Sequence, residues 1–127
     1  MNRKDLMEYI AETYGADPEF PWASHPDHMV FRHGINQKWF ALILKLPKVR
    51  LDPEGTGDLE ILNVKGDPVM IDSLKREPGF YPAYHMNKAH WISIALDGTV
   101  EDEIIRVQLE VSFELTAPKF IRPSSRR

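Results

Sequence analysis

The sequence predicts a single α+β domain with helices packed on an antiparallel sheet. Three observations predict it. Apolar residues recur at helical spacing near both ends and once in the middle. Between those stretches lie short β-rich runs, separated by turn residues rather than by long crossovers. At 127 residues the chain is about one domain long, enough to bury roughly two-thirds of its unfolded surface in one core. The predicted order is α-β-β-β-α-β-α, with room for one further short strand before the last one.

The first helix is expected from Arg3 to Tyr14. Asn2 can cap it, Asp5 favours its first turn, Leu6 and Ile10 form an apolar side, and Gly15 stops it. The stretch ADPEFPWASHPD holds three prolines and reads as an ordered loop anchored by Phe20 and Trp22. MVFRH and KWFALILKL then form a hairpin, because Gly34 and Asn36 between them tolerate the positive φ of a tight turn. LEILNVK, reached through DPEGTGD, extends the hairpin to three antiparallel strands.

Asp67 and Pro68 start a second helix, expected to reach Glu77, with Met70, Ile71 and Leu74 on its buried side. FYPAY leaves space for the short extra strand. HWISIAL alternates Trp91, Ser93 and Ala95 with Ile92, Ile94 and Leu96, as a strand does when one face is buried more fully than the other. A last helix is expected from Val100 to Thr116, capped by Thr99 with Asp102 at the box position. Ile104, Val107 or Gln108, Val111 and Leu115 line one of its sides. Residues 1–118 make the domain. Residues 119–127 make a basic tail expected to be flexible.

Composition narrows the chemistry. The absence of cysteine removes disulfides, thiolate metal sites and cysteine nucleophiles, and suits a reducing cytoplasm. The opening MNRKDLMEYIAETYG is charged and amphipathic, so neither a signal peptide nor a membrane span is expected there. The net charge of −3 is uneven: the tail holds four basic residues and no acid. The body is left with 12 basic against 19 acidic residues, about −7. A body this acidic is a poor general phosphate binder.

The run VKGDPVMIDSLKREPGFYPAYHMNKAHWISIALDG, with the N-terminal helix, the KWFALI hairpin and the closing helix ending in SFEL, resembles the MmcQ/YjbR family of small bacterial proteins. HMNKAHW carries most of that likeness. The chain departs from the family pattern at VKGD, where a cysteine often follows the lysine, and at SFEL, where SY is usual, so that Phe113 lacks a phenolic hydroxyl. The resemblance implies a CyaY-like, secretion-chaperone-like α+β fold. It also implies a DNA-binding role through paired hairpin wings, and it brings no catalytic residues.

Two functions from different classes follow. For DNA, Arg32, His33, Asn36, Gln37 and Lys38 at the first hairpin tip, with Lys48, Arg50 and Lys88, form the candidate contact set. The alternative is a protein- or peptide-binding module that uses the sheet face or an edge. Tyr84, His85, Asn87, Lys88 and His90 are the candidate ligand-binding residues of the HMNKAHW region. Lys88 would be the cation, and Tyr84 or Trp91 the stacking plate. The bland reading puts Trp91 in the core, with His85 and Asn87 satisfying loop backbone.

His25 with His28, and His85 with His90, lack the further ligands of a metal site, and none is assigned. Ser24, Ser73, Ser93 and Ser112 lack a glycine-flanked nucleophile elbow, and no phosphate-binding glycine string is present. The reading is therefore a non-enzyme with no cofactor. Its expected partner is DNA or, alternatively, a polypeptide, not a membrane. The sequence leaves the oligomeric state open.

Overall fold

The computed structural model describes residues 1–119. The basic tail, apart from Lys119, lies outside the described residues. Helix α1 spans Arg3–Tyr14, as its signals dictate. The Asn2 side chain accepts from the Asp5 N–H at 2.8 Å, the Asp5 carboxylate closes the box on the Asn2 N–H, and Gly15 ends the helix at φ 65°. Strands β1 (Met29–Arg32), β2 (Trp39–Pro47) and β3 (Asp58–Lys65) follow. After them come α2 (Pro68–Leu74), β4 (Phe80–Pro82), β5 (Trp91–Ala95) and α3 (Asp102–Thr116). The five strands form one sheet in the order β1-β2-β3-β5-β4, antiparallel throughout.

The sheet buries both faces. On one, Met29, Phe31, Phe40, Ile43, Leu62, Val64, Ile92 and Ile94 pack against Leu6 and Ile10 of α1, Ile71 of α2, and Ile105 and Leu109 of α3. On the other, Val30, Leu42, Leu44, Leu46, Leu59, Ile61 and Ala95 are buried beneath loops. A bulge sets which residues go where. The β1–β2 register steps from Phe31↔Ala41 to Arg32↔Trp39, skipping Phe40, so Phe40 joins Ala41 on the helix side while Trp39 turns to the loop side.

Several expectations are corrected. Helix α2 stops at Leu74, three residues short of Glu77, and buries only Ile71, with Met70 exposed and Leu74 half-buried. Helix α3 starts at Asp102 rather than Val100, because Val100 drops into the core and Thr99 donates its N–H to Asp97 within the preceding turn. Asp102 therefore closes no box with Thr99, and its carboxylate meets the Met1 amino group instead. The sheet-facing side of α3 is Ile105, Gln108, Leu109, Ser112 and Thr116, leaving Ile104, Val107 and Leu115 exposed.

At the hairpin tip the left-handed residue is Gln37 (φ 63°), not Gly34 or Asn36. Asn36 acts through its side chain, accepting from the Lys38 N–H and donating to the Thr116 carbonyl. Phe20 is exposed rather than an anchor of the loop, whereas Trp22 is half-buried against the loop-side cluster. Phe113 stacks on Tyr14 at 4.5 Å. Burial and the Glu110 carboxylate to which its hydroxyl donates push the Tyr14 phenol well above its ordinary range.

Trp91 is half-buried, because its side chain leaves β5 on the loop side rather than among the helices. His85, Lys88 and His90 are exposed. The expected cost of Trp91→Ala in urea unfolding therefore falls from the roughly 3 to 5 kcal/mol of a fully buried tryptophan to about 1 to 3 kcal/mol. A loss above about 4 kcal/mol would place the ring in the main core.

Candidate functional site

The loop-covered face carries a cleft, and its walls can be traced residue by residue. One wall is the segment between α1 and β1. It is tied to the sheet edge by a reciprocal pair of backbone bonds between Glu19 and Val30, both 2.9 Å. His28 Nε2 donates to the Lys45 carbonyl at 2.9 Å, which fixes its tautomer, since a carbonyl only accepts. His25 stacks on His28 at 4.7 Å, and Trp22 meets Trp39 edge-on at 5.8 Å.

The other wall is the segment between β4 and β5, which crosses back over the sheet. It is held by polar bonds. Asn63 of β3 and Ser93 of β5, both fully buried, point to this face. Asn63 Nδ2 donates to the Tyr84 carbonyl (3.0 Å), Ser93 Oγ accepts from the Tyr84 N–H (2.9 Å), and Ser93 donates to Asn63 Oδ1 (2.5 Å). A buried asparagine and serine are thus each satisfied by the loop they anchor. His85, next in the chain, sits at φ 58°, a conformation most side chains avoid.

Between the walls the cleft encloses about 640 Å³ over a floor running from Leu42 to Pro47. That size suits a small ligand or a few residues of chain. Trp22, Trp39, Tyr84 and Met86 supply apolar and aromatic surface. Lys45, Arg50, His25, His28 and His85 supply the polar lining, which contains no carboxylate. Arg50 follows β2 in a single 3₁₀ turn, Lys48–Arg50, and donates from Nη1 to the Tyr84 hydroxyl at 2.9 Å across the cleft mouth.

Of the candidate ligand residues, Tyr84 and His85 line this cleft and the others do not. Asn87 shapes its own loop: its Oδ1 accepts from the Ala89 N–H and its carbonyl from those of His90 and Trp91. The His90 carbonyl accepts from Gly66, and Lys88 borders a separate shallow depression beside α2.

The candidate DNA contacts fall in three places. At the hairpin tip, Arg32 is held by both carboxylate oxygens of Glu19. His33 is buried, with Nε2 2.8 Å from Thr116 Oγ1. Gln37 caps Gly34, and Lys38 is exposed. Lys48 and Arg50 lie at the other end of β2, about 30 Å away by strand length. Lys88 lies on the β4–β5 loop.

Among the described residues no group of three or more histidine or acidic side chains is placed to hold a metal ion. No described helix is long and apolar enough to cross a membrane.

The sequence signal for the cleft was in the strands. FALIL and EILNV are apolar at both parities, so each strand buries two faces and something besides helices must cover the second.

An antiparallel sheet with helices on one face and a loop-walled aromatic cleft on the other makes a small α+β domain. Comparison with known proteins gives it a family. The YjbR family model matches residues 11–115, and the chain belongs to that family. It is 38% identical over 116 residues to the uncharacterised protein YyaQ of Bacillus subtilis, covering 91% of this chain and 98% of YyaQ. It is 29% identical over 110 residues to uncharacterised YbdF of Escherichia coli O157:H7, covering 86% and 80% of the two chains.

Among solved structures, a Pseudomonas syringae protein matches with a TM-score of 0.90 at 39% identity, covering 92% of this chain and all of that one. Deinococcus radiodurans DR2400 matches at 0.71 and 27% identity, covering 98% and 85%. The sheet and helices expected from the sequence are therefore those of the family.

Proposed function

We propose that this YjbR-family protein is a binding module with no catalytic step, and that it holds a short extended stretch of another polypeptide in the cleft on the loop side of its sheet. The observation that carries this reading is the cleft itself. Its floor from Leu42 to Pro47 is about 17 Å long by strand rise, the length of four or five extended residues. Its walls are tethered by side-chain and backbone hydrogen bonds, so little ordering remains to oppose binding.

The face is a better seat than an edge. Strand β4 is three residues long and ends in Pro82, and the outer edge of β1 is occupied at Val30 by Glu19. A duplex on the hairpin wings is disfavoured, because Arg32 is neutralised by Glu19, His33 is buried, and Lys38 stands far from Lys48. Ser93 and Ser112 spend their hydroxyls in buried hydrogen bonds, which leaves neither as a nucleophile.

Selection of displayed random 8-residue peptides on the immobilised protein tests this. Selected peptides should bind at micromolar affinity, change tryptophan fluorescence, and lose about tenfold or more with Trp39→Ala, whose fold is checked by circular dichroism. Random 20-base-pair duplex at about 150 mM salt should bind only in the micromolar to hundred-micromolar range of nonspecific contacts. The reading would fall to nanomolar duplex binding that Lys38→Ala with Lys48→Ala weakens and Trp39→Ala does not.

A further inference from the structure

Resting on that reading, we infer that the cleft selects an acidic, aromatic segment, with a carboxylate seated on Arg50 and an aromatic ring against Trp22 and Trp39. The first reason is charge. The chain has 19 acidic residues, and its body is acidic overall, yet none of the thirteen residues lining the cleft is Asp or Glu. A groove lined by one sign of charge, with low-dielectric aromatic walls, focuses its field on a ligand of the opposite sign.

The second reason is the state of Arg50. No carboxylate pairs with it among the described residues, although Arg3, Arg32, Arg76 and Arg106 each have one. Among the described residues its hydrogen-bond partner is the Tyr84 hydroxyl, which carries no carboxylate charge. A guanidinium presents five N–H donors in a planar fork, so one bond to a phenol orients the plane and leaves a carboxylate-shaped edge unspent. Tyr84 is itself fixed at its backbone by Asn63 and Ser93. The cation is therefore held in place before a ligand arrives.

The third reason is the aromatic pair. Trp22 and Trp39 meet edge-on at 5.8 Å in the lining of the same cleft, which offers ring surface to an aromatic side chain.

Calorimetric titration with four blocked peptides tests the inference: acetyl-Gly-Glu-Phe-Glu-Gly-amide, its glutamine and lysine counterparts, and the glutamate peptide with alanine for phenylalanine. A fifth, acetyl-Gly-Gln-Phe with a free C-terminus, separates a side-chain carboxylate from a terminal one.

The glutamate–phenylalanine peptide should bind at least tenfold tighter than the glutamine peptide, and the lysine peptide should bind weakest. The advantage should shrink severalfold between 50 and 500 mM salt. Arg50→Gln should bring the glutamate peptide to within about threefold of the glutamine peptide. Tyr84→Phe, which leaves the backbone bonds in place, should give an intermediate loss. Equal micromolar binding of the glutamate and glutamine peptides would overturn the acidic selectivity while leaving peptide binding intact. Failure of every peptide, together with failure of the displayed selection, would overturn both.

Discussion

Ser112→Val should lower stability by about 2 to 4 kcal/mol, although it places an apolar side chain at a fully buried position. The β2–β3 ladder ends at the pair Ala41↔Val64, because the bulge at Phe40 takes the next residue out of register. Two backbone groups are left there without strand partners, the Phe40 carbonyl and the Lys65 N–H. One side chain serves both: Ser112 Oγ donates to the Phe40 carbonyl at 2.6 Å and accepts from the Lys65 N–H at 2.9 Å.

Each group orphaned in the interior costs about 1 to 3 kcal/mol, partly offset by the gain of buried methyls. Urea unfolding should show the midpoint falling with the slope unchanged. Ser73→Ala, on the exposed side of α2, should stay within about 0.5 kcal/mol and serves as the control. A Ser112→Val loss below about 1 kcal/mol would mean that the gap in the ladder is satisfied some other way.

The second large effect is expected at Asn63. Asn63→Leu keeps the volume nearly constant but removes the donor to the Tyr84 carbonyl and the acceptor for Ser93. The loss should be about 2 to 4 kcal/mol, because both remaining groups stay buried. Its signature should be local as well as global. Hydrogen exchange at the Tyr84 amide, which donates to Ser93, should accelerate relative to the amides of β2 and β3, and peptide binding in the cleft should weaken. Uniform loss of protection across the sheet, with the cleft still competent, would contradict the idea that these two side chains hold the wall.

How much of this was legible depends on which force sets each feature. Helix α1 was readable to the residue because its ends are fixed locally, by Asn2, Asp5 and Gly15. The strands and the β1-β2-β3 neighbours were readable from alternation and from the turn residues between them, whereas the place of β5 between β3 and β4 has no local signal. The rotation of α3 was not, because Ile104, Val107, Val111 and Leu115 make as good an apolar stripe in the sequence as Ile105 and Leu109. The choice between the two is made by Ser112 and Thr116 meeting partners more than forty residues away.

The cleft was half legible. Tyr84 and His85 stood out by composition. Trp22, Trp39 and Arg50 join them only because a bulge, a tethered loop and a 3₁₀ turn bring distant segments together, and none of these has a sequence period.

The setting of α3 bears on folding specificity. The helix turns Gln108, Ser112 and Thr116 to the sheet and leaves Ile104, Val107 and Leu115 half in water, so burial of apolar area alone would not choose this rotation. A roll of about 100°, one residue's angular step, would bring Ile104 and Leu115 inward and compete with the native packing. What separates the two arrangements is directional. Only the native one places hydroxyls at the Phe40 carbonyl, the Lys65 N–H and His33 Nε2. These polar contacts widen the gap to a near-degenerate competitor, so a sequence with a more hydrophobic α3 would be stickier and less certain of its own fold.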